Sequence, residues 1–299
     1  MADEVEVDPR CDLRYYTMVL QGFDDLGVPV RFSRLDGPEG HGMAVRSGDR
    51  RIWIAANDQA ELELNAAAWA DTVWKVNLDP ATEYAPHVGP IGPLFGIQAW
   101  PLPAGYRLVV PLGRRGVQPR HALAQLRFQG LTRLPMTAYS PGASEPTFLF
   151  LRARAWRGKH SDANRDRELF MDAVSPLCLE TSMQLADDRI SLADYLTEMR
   201  RSVVAFNSPA VHDCLGWKLG EFLALGKAIV STSLGRDLPD PLVHGEHIHY
   251  VERDRDSIRE AVERIAGDDA YRRQLERGAR AWFDRNLRPE VVAARVLGR

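Results

Sequence analysis

Between Thr147 and Leu234, apolar runs short enough to be strands alternate with longer stretches of helical period, and this alternation leaves few folds open. Thr147–Leu151 reads as an apolar strand and Arg165–Val174 as a helix. Ser191 with Asp194 resembles a capping box, opening a helix to about Arg201, and Val203–Phe206 is the next strand. Leu215–Leu225 is a helix with Leu215, Leu219, Phe222 and Leu223 on one face. Gly226 stops it and Ala228–Thr232 follows as a strand. Strands separated by helices predict an α/β fold with a doubly wound parallel sheet. Such sheets bind ligands at the carboxyl ends of their strands. Further on, Ser257 with Glu260 gives a second capping-box signature, Asp268 or Asp269 caps a helix reaching about Arg285, and Pro289 suits the first turn of a last helix to Leu297.

The first half is less regular. Leu13–Leu26 reads as a helix closed by Gly27, after an opening segment that is merely polar. Val28–Leu35 is β-like, Met43–Arg46 and Arg51–Ala55 flank a Ser-Gly-Asp turn, Gln59–Ala70 is helical and Thr72–Leu78 a buried strand. From Pro80 to Pro146 the prolines and glycines predict loops around short elements, with a helix near Arg120–Gln129. At 299 residues the chain accommodates two domains, with the boundary in the Ser-, Pro- and Gly-rich stretch Ala138–Pro146. The expected division is 1–140, an abbreviated acceptor-side domain rejoined by a final helix 287–299, and 146–286, a nucleotide-binding domain.

A net charge of −3 gives no global signal for nucleic acid as a partner. Three widely spaced cysteines exclude a disulfide framework, and the acidic start and lack of an 18-residue apolar run predict a cytoplasmic protein. From Tyr84 to Ser144 there is no Asp or Glu, while six arginines fall between Arg107 and Arg133. That bias fits a phosphorylated or lipid-linked acceptor, or peripheral contact with the inner face of an anionic membrane. It equally fits a solvated arginine surface.

The helix at Leu215–Leu225 starts with Gly216 and Lys218 in its first turn. Exposed amides and the helix dipole favour an anion there, and Lys218 would add a point charge for a diphosphate. Glu221, one turn on, suits a diol such as ribose. A plain sheet-covering helix explains the same spacing.

The segment resembles the nucleotide-sugar motif of GT-B glycosyltransferases, chiefly the retaining E-x7-E type. Asp213, Gly216, Glu221 and Gly226 occupy that motif's four positions, with Asp213 one methylene shorter than the usual Glu. The resemblance implies two Rossmann-like domains facing a cleft. It assigns Glu221 to the donor ribose, the amides around Leu215 and Gly216 to the diphosphate or donor sugar, and Asp213 to sugar hydroxyls. Arg154 and Lys159, five residues apart after the first strand of the C-terminal half, match the pair that contacts the diphosphate in that family. It further implies transfer from a nucleotide-diphosphate sugar to a small-molecule, glycan or lipid-linked acceptor, with retention, no cofactor and no metal. If the chemistry inverts instead, a general base is required, and His41 is a candidate. Two other readings remain: a sugar-nucleotide epimerase or hydrolase of similar fold, and a non-catalytic nucleotide-binding partner. The loop Gly37-Pro-Glu-Gly-His-Gly42 reads either as a turn or as a ligand-approaching loop.

Overall fold

In the computed structural model the described residues are 4–153, 162–185 and 190–299, and the chain divides into two compact units. The first takes in the chain to Ala138 together with Arg236–Pro239 and Arg285–Arg299; the second comprises Tyr139–Gly235 and Asp240–Asp284.

The first unit is built on a six-stranded sheet of β1 (Val5–Val7), β2 (Val30–Phe32), β3 (Met43–Ser47), β4 (Arg50–Ala55), β5 (Thr72–Lys75) and β6 (Val88–Pro90), in the order β2-β1-β3-β4-β5-β6. Only β3 runs against the rest. It pairs antiparallel with both β1 and β4, and Gly48 turns the β3–β4 hairpin at φ 59°. The helices are α1 (Thr17–Asp25), α2 (Leu64–Trp69), α3 (Leu102–Arg114) and α4 (Pro119–Thr132). Trp53, Ala44, Ala66 and Val73 meet in one of its buried clusters.

Two expectations for this unit are corrected. The opening segment is not merely polar: Val5 and Val7 are fully buried on β1, between β2 and β3. Glu6 disguised the strand. It faces Arg31 and Arg46, its direct neighbours on the two flanking strands, and pairs with both. In the Pro80–Pro146 stretch the helix expected near Arg120–Gln129 is α4, but α3 is a full helix where only loops around short elements were expected. Pro103 lies in the first turn of α3, where no intrahelical amide is needed. Pro111 lies on the exposed face, where water can reach the carbonyl it leaves unbonded. Gly130 lets α4 approach α3, since a Cβ there would lie 2.7 Å from Leu102. Gln59–Ala70 shortens to α2, and the helix expected from Leu13 begins at Thr17 after a 3-10 turn that Asp12 caps.

The second unit has β7 (Phe148–Ala153), α5 (Asp162–Val174), β8 (Glu180–Leu185), α6 (Leu192–Arg201), β9 (Ala205–Asn207), α7 (Trp217–Ala224), β10 (Ile229–Ser231), β11 (His249–Tyr250), α8 (Arg255–Gly267) and α9 (Asp269–Asn286). All its ladders are parallel: β7 with β8, and β9–β10–β11. The Val203 amide donates to Phe148 O at 2.7 Å and Phe150 N to Ser202 Oγ at 2.9 Å, which seats β7 beside β9. Read across, the order is β8-β7-β9-β10-β11, the doubly wound pattern that reverses direction between its first and third strands. Both faces are covered. On one face Leu149, Leu151, Phe206 and Val230 pack against Phe170, Ile258, Val262 and Ile265, and the Phe170 and Phe206 rings stack at 4.2 Å; on the other Phe150 meets Tyr195 of α6 edge-on.

Ser191 caps α6 as its capping box predicts, by accepting from Asp194 N. The cap of α8 is Asp254, not Ser257. Asp254 accepts from Ser257 N, and Ser257 Oγ reaches back to Glu252 N. The polar strand β8 carried no apolar signal because it lies at the sheet edge with most side chains exposed. In the first unit α10 (Pro289–Leu297) lies on α1 so closely that a Cβ at Gly22 would be 1.9 Å from Pro289 O.

Lys227, just before β10, is 1% exposed and donates to Arg200 O at 2.9 Å and Ser202 O at 2.5 Å, satisfying carbonyls at the end of α6. Burial pushes its pKa down from 10.5 to about 8. Between those values the unfolded chain binds more protons than the folded one, so stability rises with pH through that window. Lys227→Met should destabilise the protein by about 1–3 kcal/mol at pH 7. It should also flatten the rise in urea-unfolding free energy between pH 8 and 10.

Candidate functional site

Because both faces of the second sheet are buried, its polar groups concentrate at the carboxyl ends of the strands. The switch between β7 and β9 is the natural crevice there, since the connections leaving the two strands diverge. Beyond β9 the chain runs through residues 208–216 into α7. This loop is strained: His212 at φ 59° and Asp213 at φ 54° are consecutive non-glycine residues in the left-handed region, each costing about 1–2 kcal/mol. They are the only positive-φ residues besides glycines among the described residues. Both side chains are exposed. Gly235, after β10, comes alongside; a Cβ there would sit 3.5 Å from the Asp213 Cβ.

Gly216 is the N-cap of α7 and, being a glycine, offers the helix no side-chain cap of its own. The glycine is not required by the backbone, because φ −82° and ψ 156° suit any residue. Nor does packing require it. A Cβ would meet only Ala210 Cβ, at 3.8 Å. Leu215 beside it is buried.

In the first turn of α7, Lys218 turns toward the end of β7. Its ammonium donates to Arg152 O and lies 4.8 Å from the centre of the Tyr195 ring. Desolvation pulls its pKa down to about 8; Glu221 opposes that shift and Arg167 adds to it. Glu221 is 5% exposed, an acid held inside the fold. Tyr195, stacked edge-on against Phe150, has its phenol pKa raised well above the usual value by burial and then by Glu221. Its buried hydroxyl has no hydrogen-bond partner among the described residues.

The structure adds groups that sequence reading missed, all near the start of α5. Arg167 Nε donates to Ser208 Oγ at 3.2 Å, tying α5 to the loop after β9. Burial lowers its pKa, with Asp166 opposing, but a guanidinium keeps its charge in proteins. Asp166 pairs with Arg253 at 3.0 Å. Burial raises its carboxyl above the usual range; Arg253 pulls it back and Asp213 pushes it further up. The only signal for these residues in the sequence was a charged first turn following an apolar strand.

Asp213, Leu215, Gly216, Lys218 and Glu221 thus belong to one loop and helix at the sheet's carboxyl edge. Arg154 and Lys159 lie outside the described residues. His41 belongs to the first unit, where it is exposed; its carbonyl accepts from Tyr16 Oη at 2.7 Å. In the glycine-rich loop beside it, Gly42 serves packing, because a Cβ there would come 2.2 Å from the Trp53 indole. The hollow of about 280 Å³ at this loop is lined by Asp8, Arg10, Glu39 and Trp53, with Arg10 already paired to both acids. The one Asp-x-Asp triplet in the sequence, Asp254-Arg255-Asp256, is taken up by capping α8 and pairing with Arg259. His247 and His249 are both buried. His247 Nδ1 accepts from Val243 N, and His249 Nδ1 bonds Tyr271 Oη at 2.7 Å.

No family model matches the chain, and no curated protein matches it in sequence. Among solved structures it is similar to a glycosyltransferase from Rickettsia africae, with 9% identity and a TM-score of 0.44 over 82% of this chain and 69% of that one. It is similar to a protein from Listeria monocytogenes assigned as a UDP-N-acetylglucosamine 2-epimerase, with 10% identity and a TM-score of 0.45 over 96% and 91%. A third, T4 phage BGT in complex with UDP-glucose, gives 8% identity and a TM-score of 0.43 over 94% and 92%. Likeness this loose assigns neither family nor activity, and these neighbours span more than one kind of reaction.

If Gly216 is present for a ligand and not for the fold, Gly216→Ala should cost less than about 1 kcal/mol in thermal unfolding, the scale of an N-cap change. Gly42→Ala should cost about 1–3 kcal/mol, the scale of overpacking. Equal losses at the two glycines would remove the ligand argument at Gly216.

Proposed function

We propose that the second unit is the donor site of a glycosyltransferase that uses a nucleotide-diphosphate sugar. The observation that carries this reading is the grouping at the switch point. The glycine-capped N-terminus of α7, Arg167 and Lys218 supply positive charge on one side of a strained loop, and Glu221 supplies a buried acid one turn away.

The chemistry suits a nucleoside diphosphate as leaving group. Negative charge develops on its phosphates as the sugar departs, and helix amides with fixed cations oppose it without reorganising. Arg167 and the α7 amides face that charge. Lys218, tied to Arg152 O, contributes field from behind the helix start. Arg154 and Lys159 remain candidates for the same anion by family resemblance. Glu221 would accept from the ribose hydroxyls. Asp213, exposed at the loop tip, would accept from the hydroxyls of the donor sugar, its strained backbone aiming the short carboxylate. We infer retention, with the leaving phosphate accepting the acceptor proton, and no metal, because arginine and lysine take the place a cation would fill. An inverting enzyme would need a base, for which His41 is the candidate. The acceptor is a small molecule, a glycan or a lipid-linked sugar.

A thermal-shift panel of UDP, GDP, TDP, ADP and CMP reads the site directly, because a ligand that binds only the folded state raises its stability. We expect at least one nucleoside diphosphate to raise the melting temperature. Glu221→Gln should weaken that ligand by about 1–3 kcal/mol, the scale of losing charge-assisted hydrogen bonds. Unchanged affinity in the folded variant would remove Glu221 from the site. Incubation with donor alone separates transfer from its rival: release of an isomerised nucleotide sugar without acceptor would mark an epimerase. Binding without turnover on any acceptor would mark a nucleotide-binding partner.

A further inference from the structure

The acid-free stretch of the first unit folds into α3 and α4, two helices of 13 and 14 residues joined by a turn at Gly116 with φ 92°. Each buries one side. Gly105 and Leu112 of α3 are buried, as are Ala122, Gln125, Leu126 and Gln129 of α4. Gln129 fastens the pair by accepting from Trp100 N at 3.1 Å and donating to Trp100 O at 2.7 Å.

The opposite sides are unusual. On α3 the exposed face carries Tyr106, Arg107, Val110, Pro111 and Arg114 at helical spacing, with Tyr106 48% and Val110 60% exposed. On α4 Arg120, Ala124, Arg127 and Leu131 recur at i, i+4, i+7 and i+11, and Leu131 is 58% exposed. Of the seven most exposed large apolar residues described, three lie on these two helices. Arg107, Arg114, Arg115, Arg120 and Arg127 make no ion pair among the described residues, and the sequence holds no Asp or Glu from Tyr84 to Ser144. A solvated arginine surface would explain the cations but would leave Tyr106, Val110 and Leu131 facing water for nothing.

We propose that α3 and α4 form a docking surface for an anionic lipid bilayer, with Tyr106, Val110 and Leu131 entering the headgroup boundary and the five arginines engaging lipid phosphates. Charge complementarity selects the partner. Two helices with arginines and no Asp or Glu of their own are drawn to a negative leaflet, and interleaved apolar side chains give what an interface-lying helix buries. A tyrosine suits the headgroup level, with an apolar ring and a polar tip. Nucleic acid would use the arginines but has no place for Val110 or Leu131. This surface lies in the first unit and stands independently of the donor-site reading.

Co-sedimentation of the whole chain with vesicles tests it. The protein should pellet with vesicles containing phosphatidylglycerol, stay in solution with pure phosphatidylcholine, and be released as salt rises. Arg114→Glu with Arg115→Glu should lower partitioning by more than about tenfold. Tyr106→Ser with Val110→Ser should lower it by about tenfold, because apolar burial adds to charge in such binding. Both double variants should keep the wild-type melting temperature and nucleotide shift, which separates this result from the donor-site test. Absence of the wild type from anionic vesicles would overturn the proposal. Equal binding by the variants would do so too. Binding to DNA that depends on the arginines but not on Tyr106 and Val110, without vesicle binding, would replace the lipid with nucleic acid. A dimer that the Tyr106/Val110 variant dissolves, again without vesicle binding, would replace it with a second copy of the chain.

Discussion

Burial of both faces of the parallel sheet in the second unit is the constraint on which its remaining features depend. Leu149, Leu151, Phe206 and Val230 have apolar cover from α5 and α8 on one face, and Phe148, Phe150 and Ile229 are buried on the other, where Phe150 meets Tyr195 of α6, so neither sheet face can carry unpaired polar chemistry. The strand ends are different. There Asn207 and Ser231 bond each other at 2.9 Å, and the loops leaving β9 and β10 bring Ser208, Asp213 and Gly235 to the same edge. Local helix signals then matter because of where the sheet puts them. The start of α7 is a candidate anion site by virtue of following β9 at the switch of strand direction; the same eight residues elsewhere would be one more covering helix.

Two lysines show how this burial divides structural from functional charge. Both lose proton affinity to desolvation, to about 8. Lys227 is fully engaged with the carbonyls at the end of α6, so its charge closes a helix terminus. Lys218 holds the last turn of β7 through Arg152 O but sits between Glu221, Arg167 and the Tyr195 ring, where its field reaches the crevice. The strain at His212 and Asp213 belongs with the second group. Two left-handed non-glycine residues in succession are retained only where surrounding structure fixes them, and here they present an acid at the mouth of the loop. The first unit divides in the same way. Its glycine-rich loop looked suited to a ligand, yet Gly42 is there to clear Trp53, and the unpaired charge lies on α3 and α4 instead.

The sequence by itself determined the α/β class, the order of strands and helices from Phe148 to Leu297 apart from the edge strand β8, the caps at Ser191 and Gly226, and the position of Asp213, Gly216 and Glu221 around one helix start. Those features are legible because they are local: period, cap and turn depend on residues within a few positions of each other. What depends on distant partners was not. β1 reads as polar until Arg31 and Arg46 neutralise Glu6 from both sides, and α3 reads as loop until its prolines are seen at the first turn and on the wet face. Likewise Asp166, Arg167 and Tyr195 join Lys218 and Glu221 only through the packing of α5 and α6 on the sheet. Tertiary structure alone decided those placements, since a side chain's neighbours across a sheet are set by strand order, and strand order is written in no single segment.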